Sequence, residues 1–535
     1  MEPLGNGRVA ATLEEYAALL ELADAGFYAA RAYRRAAALI RDLPTPVEEL
    51  VRNGRVRELR GVGRGIETRL RELVESGQIA ELEELRRETS PELAAVGRML
   101  GFGAGLGSTI ATSLGIRTLA ELRAAAEAGQ LREVRGIGPR TEAKIRAALE
   151  RGPSRQATLV LLNRARDLTA QLASALGGVP AGDARRWREA ATRLAVAVET
   201  TDPEAVRARF AALPEVVAMV EPDVGLTLDG IPVELHLAPP ETFGTVLLRA
   251  TGSPAYVSSL GALPAAPDEE TAYRLLGLPY LVPELRELPA PDPPPVLVDL
   301  EHIRGDLHCH TTWSDGRASV LEMGRAARDR GYDYLAICDH TVNVRVVPGL
   351  AADDLRRQGA EIDEANEQLA PFRVLRGTEC DVLPDGGLDL PDDVLSELDW
   401  VQLSLHAGQR TPRRELTARV THAMQHPAVR CLSHPTGRLL GHRPENALDL
   451  ERTIETALAT GVALEVNGLP NRLDLSGDHV RIAVEAGASI ACSTDAHSIA
   501  GLDNMSLSVH TARRGWATAA DVVNTRPLRA LLRPS

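Results

Sequence analysis

At 535 residues, with 44% hydrophobic and 25% charged residues, the chain has room for several domains that each bury a core. A formal net charge of −14 excludes indiscriminate attraction to polyanions while leaving room for local basic patches. The N-terminus lacks the basic and apolar regions of a signal peptide, no apolar run is long enough to span a bilayer, and the 5 cysteines show no CxxC spacing, which together predict small buried thiols in a reducing cytoplasm.

Residues 1–150 read as helical, with apolar residues at helical spacing from Leu13 to Leu20 and from Ala32 to Ile40. Two glycine turns interrupt the pattern, Leu59-Arg60-Gly61-Val62-Gly63-Arg64 and Val134-Arg135-Gly136-Ile137-Gly138-Pro139-Arg140, and each precedes a helical segment. A G-x-G turn at a helix N-terminus lets outward-pointing amides approach a phosphate without side-chain bulk. Arg60, Arg64, Arg140 and Lys144 (the sole lysine) stand beside these turns. Together with Gly61, Gly63, Gly136 and Gly138 they are the expected contacts to a DNA backbone, positioning it without reading its sequence. A third glycine run, Gly101-Phe102-Gly103-Ala104-Gly105, has no basic neighbour and reads as packing.

Residues 151–288 are mixed, with strands expected at Leu194–Val198 and Ile231–His236. Residues 289–300 are proline-rich and predict a stiff extended linker. From 301 to 535 apolar runs alternate with helical segments such as 320–330 and 478–486, the signature of βαβ units in a parallel sheet or barrel. Of the 13 histidines all but His236 lie here, and many close the apolar runs: His308 and His310, His340, His406, His434 and His497, with Asp315, Glu379 and Asp495 placed similarly. Imidazoles and carboxylates at successive strand ends suit a cluster of divalent metals.

The first 288 residues resemble the bacterial family X DNA polymerases, through Phe27–Ala37, the two glycine turns, Pro239–Gly244, Thr251-Gly252-Ser253 and Leu276–Glu287. The resemblance implies an all-α helix-hairpin-helix region followed by an α+β nucleotidyltransferase-like domain. The chain departs from the family at the catalytic positions. Asp183 follows Gly182 where the family has serine, Arg193 and Ala195 occupy the Asp-x-Asp positions, and Glu234 stands at the third aspartate. Nucleotidyl transfer needs two metals held by those carboxylates, so polymerase activity is expected to be absent.

Residues 301–535 resemble the polymerase and histidinol phosphatase (PHP) domain, which implies a distorted (β/α)7 barrel with its site at the C-terminal strand ends. Carried over by position, His308, His310, Glu379 and Asp495 would hold a first metal. Glu379 would bridge to a second with His406 and His434, and Asp315, His340 and His497 would hold a third. The ions are expected to be Mn²⁺, Zn²⁺ or Fe²⁺. Asp306 and Asp339 are expected to orient imidazoles, Arg438 and Arg443 to bind phosphate, and Asn467 to line the site. The expected function is metal-assisted hydrolysis of DNA phosphoesters, as a 3′–5′ exonuclease or 3′-end processing enzyme in repair. The alternatives are a working family X repair polymerase/exonuclease and a small-molecule phosphatase of the histidinol phosphatase type.

Overall fold

A computed structural model describes residues 5–532 apart from 24–26, 42, 44, 60, 89, 152–157, 290–292 and 345–346. Arg60 and the middle of the proline-rich stretch therefore lie outside the described residues.

The N-terminal part is helical among the described residues. The two predicted apolar stripes sit inside the helices Asn6–Leu22 and Phe27–Arg41. They bury Leu13, Leu19 and Ile40 against Leu70 and Ile79 from the helices and turns that follow. A second apolar cluster, including Leu93, Ile110, Leu122 and Ile145, also takes in Ala218 and Leu226 from the middle sheet. The glycine run at 101–105, read as packing, forms a turn with Gly101 and Gly103 at φ 81° and 87°, and a Cβ on Gly103 or Gly105 would meet nothing within 4 Å. The close packing falls on its neighbours, where a Cβ on Gly97 would meet the Gly103 carbonyl at 2.4 Å and one on Gly107 the Leu93 carbonyl at 2.2 Å.

The middle region is built on a five-stranded mixed sheet. Leu194–Glu199 and Pro232–Ala238 run parallel at its centre, where strands were expected. Val179–Ala181 flanks them antiparallel on one side and Val224–Leu226 on the other. The helices Phe243–Thr251, Pro254–Ser259 and Glu269–Leu275 follow, packed around Leu248, Tyr256 and Tyr273.

The C-terminal part is a seven-stranded sheet in strict chain order, every pairing parallel. Its strands are Gly305–Cys309, Tyr334–Ile337, Arg373–Asp381, Trp400–Ser404, Val429–Leu432, Ala463–Asn467 and Ile490–Ser493. A parallel bridge between Cys309 and Ala496 brings the last strand round to the first, which nearly closes a barrel. Leu307, Ala336, Leu375, Trp400, Cys431, Ala463 and Ala491, one from each strand, form a single apolar cluster that fills it. All 5 cysteines are buried thiols on or beside these strands. No helix is long and apolar enough to cross a membrane among the described residues.

The middle region is locked against the barrel by polar contacts. Trp187 stacks on His510 with ring centroids 3.5 Å apart. Glu189 accepts the Gly477 amide at 3.0 Å and pairs with Arg514 at 2.6 Å. Glu284 accepts from His510 and Arg513, each at 2.8 Å.

Candidate metal centre

Residues two apart on a strand share a face, so His308 and His310 leave the first barrel strand pointing the same way. Their Nε2 atoms lie 3.1 Å apart. Glu379, on the third strand, sits in the middle of the cluster. Its Oε2 is 2.9 Å from His340 Nδ1, 3.5 Å from His308 Nε2 and 3.7 Å from His310 Nε2. Its Oε1 is 2.9 Å from His434 Nε2 and 3.5 Å from His406 Nε2. Asp495 Oδ1 approaches His310 Nε2 at 3.1 Å, and Asp315 Oδ2 approaches His497 Nε2 at 3.3 Å. All nine residues singled out as ligands thus gather at the C-terminal ends of the strands, where barrel sites form.

Donor atoms lie within 4.8 Å of one another in three overlapping groups: His308, His310 and Asp495; His340, Glu379 and His406; and His310, Asp315, His340 and His497. The grouping differs in detail from the expected sets, because His310 reaches the third group and His340 lies against Glu379. The backbone is bent to achieve this. His434 has φ 23° and Asp495 has φ 53°, left-handed conformations that cost a non-glycine residue about 1–3 kcal/mol.

The cluster fits divalent cations by its donor chemistry. The Nδ1 atoms of His310, His406 and His434 are buried without a hydrogen-bond partner, an arrangement that is costly unless another group takes the lone pair. Burial opposes ionisation of Glu379, yet His406, His340 and His308 hold its carboxyl well below the usual range. Asp495 is likewise held low against burial, by His308, His310 and His497. For His310, burial and then the neighbouring His497 and His340 push the pKa down to about 4, leaving a neutral imidazole able to ligate.

Glu465, which sequence reasoning missed, holds this array in place. Fully buried on the sixth strand, it accepts from His308 Nδ1 at 2.7 Å, from Gln402 at 2.8 Å and from the His434 amide at 2.6 Å. An acceptor on Nδ1 fixes the tautomer that presents Nε2 to the cluster. Strand periodicity offered a signal, since Glu465 shares a face with Asn467, which donates to Asp495 at 2.9 Å. Asp381 plays a similar part by accepting the His406 amide at 3.0 Å.

The expected roles of Asp306, Asp339 and Arg438 need correction. Asp306 accepts from the backbone amides of His308 and Thr494, both at 3.2 Å, and Asp339 accepts from Thr311, Ser314 and Gln358, so these carboxylates brace loops and do not bond imidazoles. Arg438 does not reach the metal cluster with a free fork. Its guanidinium binds the carbonyls of Arg472, at 2.9 Å, and Leu473, because the loop after the sixth strand folds over it. Arg443 donates to the Gly437 carbonyl at 2.8 Å.

At the two glycine turns, Gly61 and Gly136 have φ 99° and 93°, a backbone that side chains disfavour. Val62 and Ile137 are buried as anchors, while Gly63, Arg64, Gly138, Arg140 and Lys144 are exposed at the starts of the helices Arg64–Ser76 and Pro139–Arg151. No atom lies within 4 Å of where a Cβ would project from Gly61, Gly63, Gly136 or Gly138.

In the middle sheet, Ala195 pairs in register with Glu234, and Arg193 donates to Glu234 at 2.6 Å. Asp183 is engaged by Arg186, and Arg185 is clamped on Glu269 at 2.7 Å. Of the positions Arg193, Ala195 and Glu234, the single carboxylate is thus bound to the neighbouring arginine.

A helical DNA-binding type of hairpin, a nucleotidyltransferase-like sheet without its aspartate pair and a histidine-lined (β/α)7 barrel define a multidomain protein of the polymerase–phosphoesterase class. Residues 4–79 match the helix-hairpin-helix domain model. The chain is 33% identical to the DNA polymerase/3′–5′ exonuclease PolX of Bacillus subtilis (strain 168), over 97% of both chains. It therefore belongs to the bacterial PolX family, family X DNA polymerases with a C-terminal PHP domain. The C-terminal part is also similar to probable phosphatases of Acetivibrio thermocellus (28% identical, 36% of this chain, 78% of that protein) and Photobacterium profundum (27%, 37% and 80%).

Proposed function

We propose that this protein is a DNA-binding, divalent-metal-dependent phosphoesterase that shortens DNA from its 3′ end in repair, and that it has lost polymerase activity. The observation that carries the reading is the convergence of five imidazoles on the single carboxylate Glu379, within 3.7 Å, beside Asp495 and Asp315. In this reading His308, His310, Glu379 and Asp495 hold one ion, Glu379, His406 and His434 a second, and Asp315, His340 and His497 a third, drawn from Mn²⁺, Zn²⁺ or Fe²⁺. Divalent ions bound there supply Lewis acidity toward water and the phosphoryl group. Glu465 keeps His308 in the ligating tautomer, and Asn467 steadies Asp495.

Residues 1–150 serve as the DNA-holding arm, 151–288 as the degenerate polymerase domain, and 301–535 as the catalytic barrel, with 289–300 as the link. Arg64, Arg140 and Lys144, together with the glycine amides, grip the DNA backbone. The Arg193–Glu234 pair supports the loss of polymerase activity, since a guanidinium stands where a metal ion would have to bind.

The test is incubation of the purified protein with Mn²⁺ and a 5′-labelled primer-template, with and without dNTPs, beside His308→Ala and Asp495→Ala. A ladder of shortened products, absent in both variants and never replaced by extension, is the expected result. Release of only a terminal phosphate would favour the phosphatase reading, which the similarity of the barrel to probable phosphatases keeps in view. Template-dependent extension would overturn the loss of polymerase activity.

A further inference from the structure

Arg472 lies in the loop that follows the sixth barrel strand, with its Nε 3.8 Å from Asp495 Oδ2. Its side chain is only 16% exposed, yet both Nε and Nη1 are buried without a hydrogen-bond partner. A guanidinium offers five donors in a planar fork, and leaving buried ones unmade is costly. The loop around it is held firmly: Arg438 binds the carbonyls of Arg472 and Leu473 from behind, and Leu473 adopts φ 43°. Burial and then the charge of Arg472 push the pKa of nearby Arg443 down, so a second guanidinium stands close by. Arg472 thus stands at the edge of the ligand cluster with buried donors unspent.

We propose that Arg472 is the phosphate-contacting arginine of this centre, donating in a fork to nonbridging oxygens of the phosphoester bound there. Arg438 is the positioning residue that holds its loop. The assignment rests on the phosphoesterase reading above and names the residue that recognises its substrate. An oxyanion accepts planar donation from arginine better than from any other side chain, and one bound here would take up donors that Arg472 leaves unmade. The neighbouring ligand Asp495 fixes the distance between that fork and the cluster.

The experiment uses the full chain loaded with Mn²⁺, as parent, Arg472→Ala and Arg472→Lys, with inorganic phosphate as the probe. Phosphate binding is read by calorimetry, Mn²⁺ content by elemental analysis and folding by thermal melting. The expected result is that Arg472→Ala keeps its Mn²⁺ and melting temperature but binds phosphate at least about tenfold more weakly, with Arg472→Lys in between. Hydrolysis of a nitrophenyl phosphodiester and of nitrophenyl phosphate, measured on the same proteins, then shows which ester the fork serves. Phosphate affinity unchanged within about twofold, no phosphate binding by the parent, or loss of Mn²⁺ in parallel with phosphate would each overturn the assignment. Failure of the parent to shorten DNA would count against the exonuclease reading alone, because the phosphate and metal measurements do not depend on it.

Discussion

Glu379 and Glu465 are both fully enclosed carboxylates, and both remain ionised because imidazoles face them. Glu379 touches the cluster from its centre, whereas Glu465 stands behind it and bonds His308 Nδ1. Glu465→Gln keeps the volume but replaces the charged acceptor of that bond, so Mn²⁺ affinity is expected to fall about 10–100-fold. A Mn²⁺ titration of the folded variant tests this, and an unchanged affinity would show that His308 orients itself. The histidine cluster was legible in the sequence because many of its members close apolar runs, and burying so many imidazoles calls for partners. For Glu465 the sequence offered only its shared strand face with Asn467; its role shows once His308, 157 positions away, is brought against it. Arginine roles were illegible for the opposite reason. Spacing brought Arg438 to attention, and only the folded loop reveals that its donors are spent on carbonyls.

The two glycine turns show how much of an element composition alone can specify. Gly61 and Gly136 need positive φ, Val62 and Ile137 anchor the turn, and a helix start follows within three residues of each glycine. That sequence of requirements leaves few other structures, which is why the hairpins could be read directly. Lys144→Ala and Arg140→Ala are expected to weaken DNA binding about equally on unrelated sequences. Each should reduce the slope of log K against log salt by about 0.9 for duplex DNA. A loss that depends on sequence, or a slope that does not move in either variant, would remove these side chains from the backbone contact. The barrel strands were legible for similar reasons, since parallel strands buried on both faces are continuous apolar runs. The near-closure through Cys309 and Ala496 was not, because it depends on the geometry of the whole ring.

At the scale of the molecule, the contacts between the middle region and the barrel carry unusual charge. Burial opposes ionisation of Glu189, yet Arg514 and Arg438 hold its pKa at about 2, and Glu284 is held at about 2 against burial by His510 and Arg513. A carboxylate whose folded pKa lies below its unfolded value of about 4.3 adds stability above that value. This stability is lost as pH falls from about 4.3 through about 2. Glu189→Gln is expected to destabilise the protein by about 3 kcal/mol near pH 7, because it leaves the arginines facing it uncompensated. The gap between parent and variant should narrow as pH falls through that window. Thermal or urea unfolding from pH 7 to pH 3 checks both points, and a gap that stays constant with pH would place the effect in packing. None of this junction was legible in the sequence, since Glu189, Arg438 and Arg514 meet only after both regions have folded.

That junction also bears on how such a chain can change over time. Glu189 comes from the middle region, but the charges it neutralises, Arg514 and Arg438, belong to the barrel. Deleting the middle region would strip the counter-charge from Arg514 and Arg438, and Arg438 holds the loop that carries Arg472. If polymerase activity is lost as proposed, the middle region still acts as a keystone, since its Glu189 balances charge inside its neighbour.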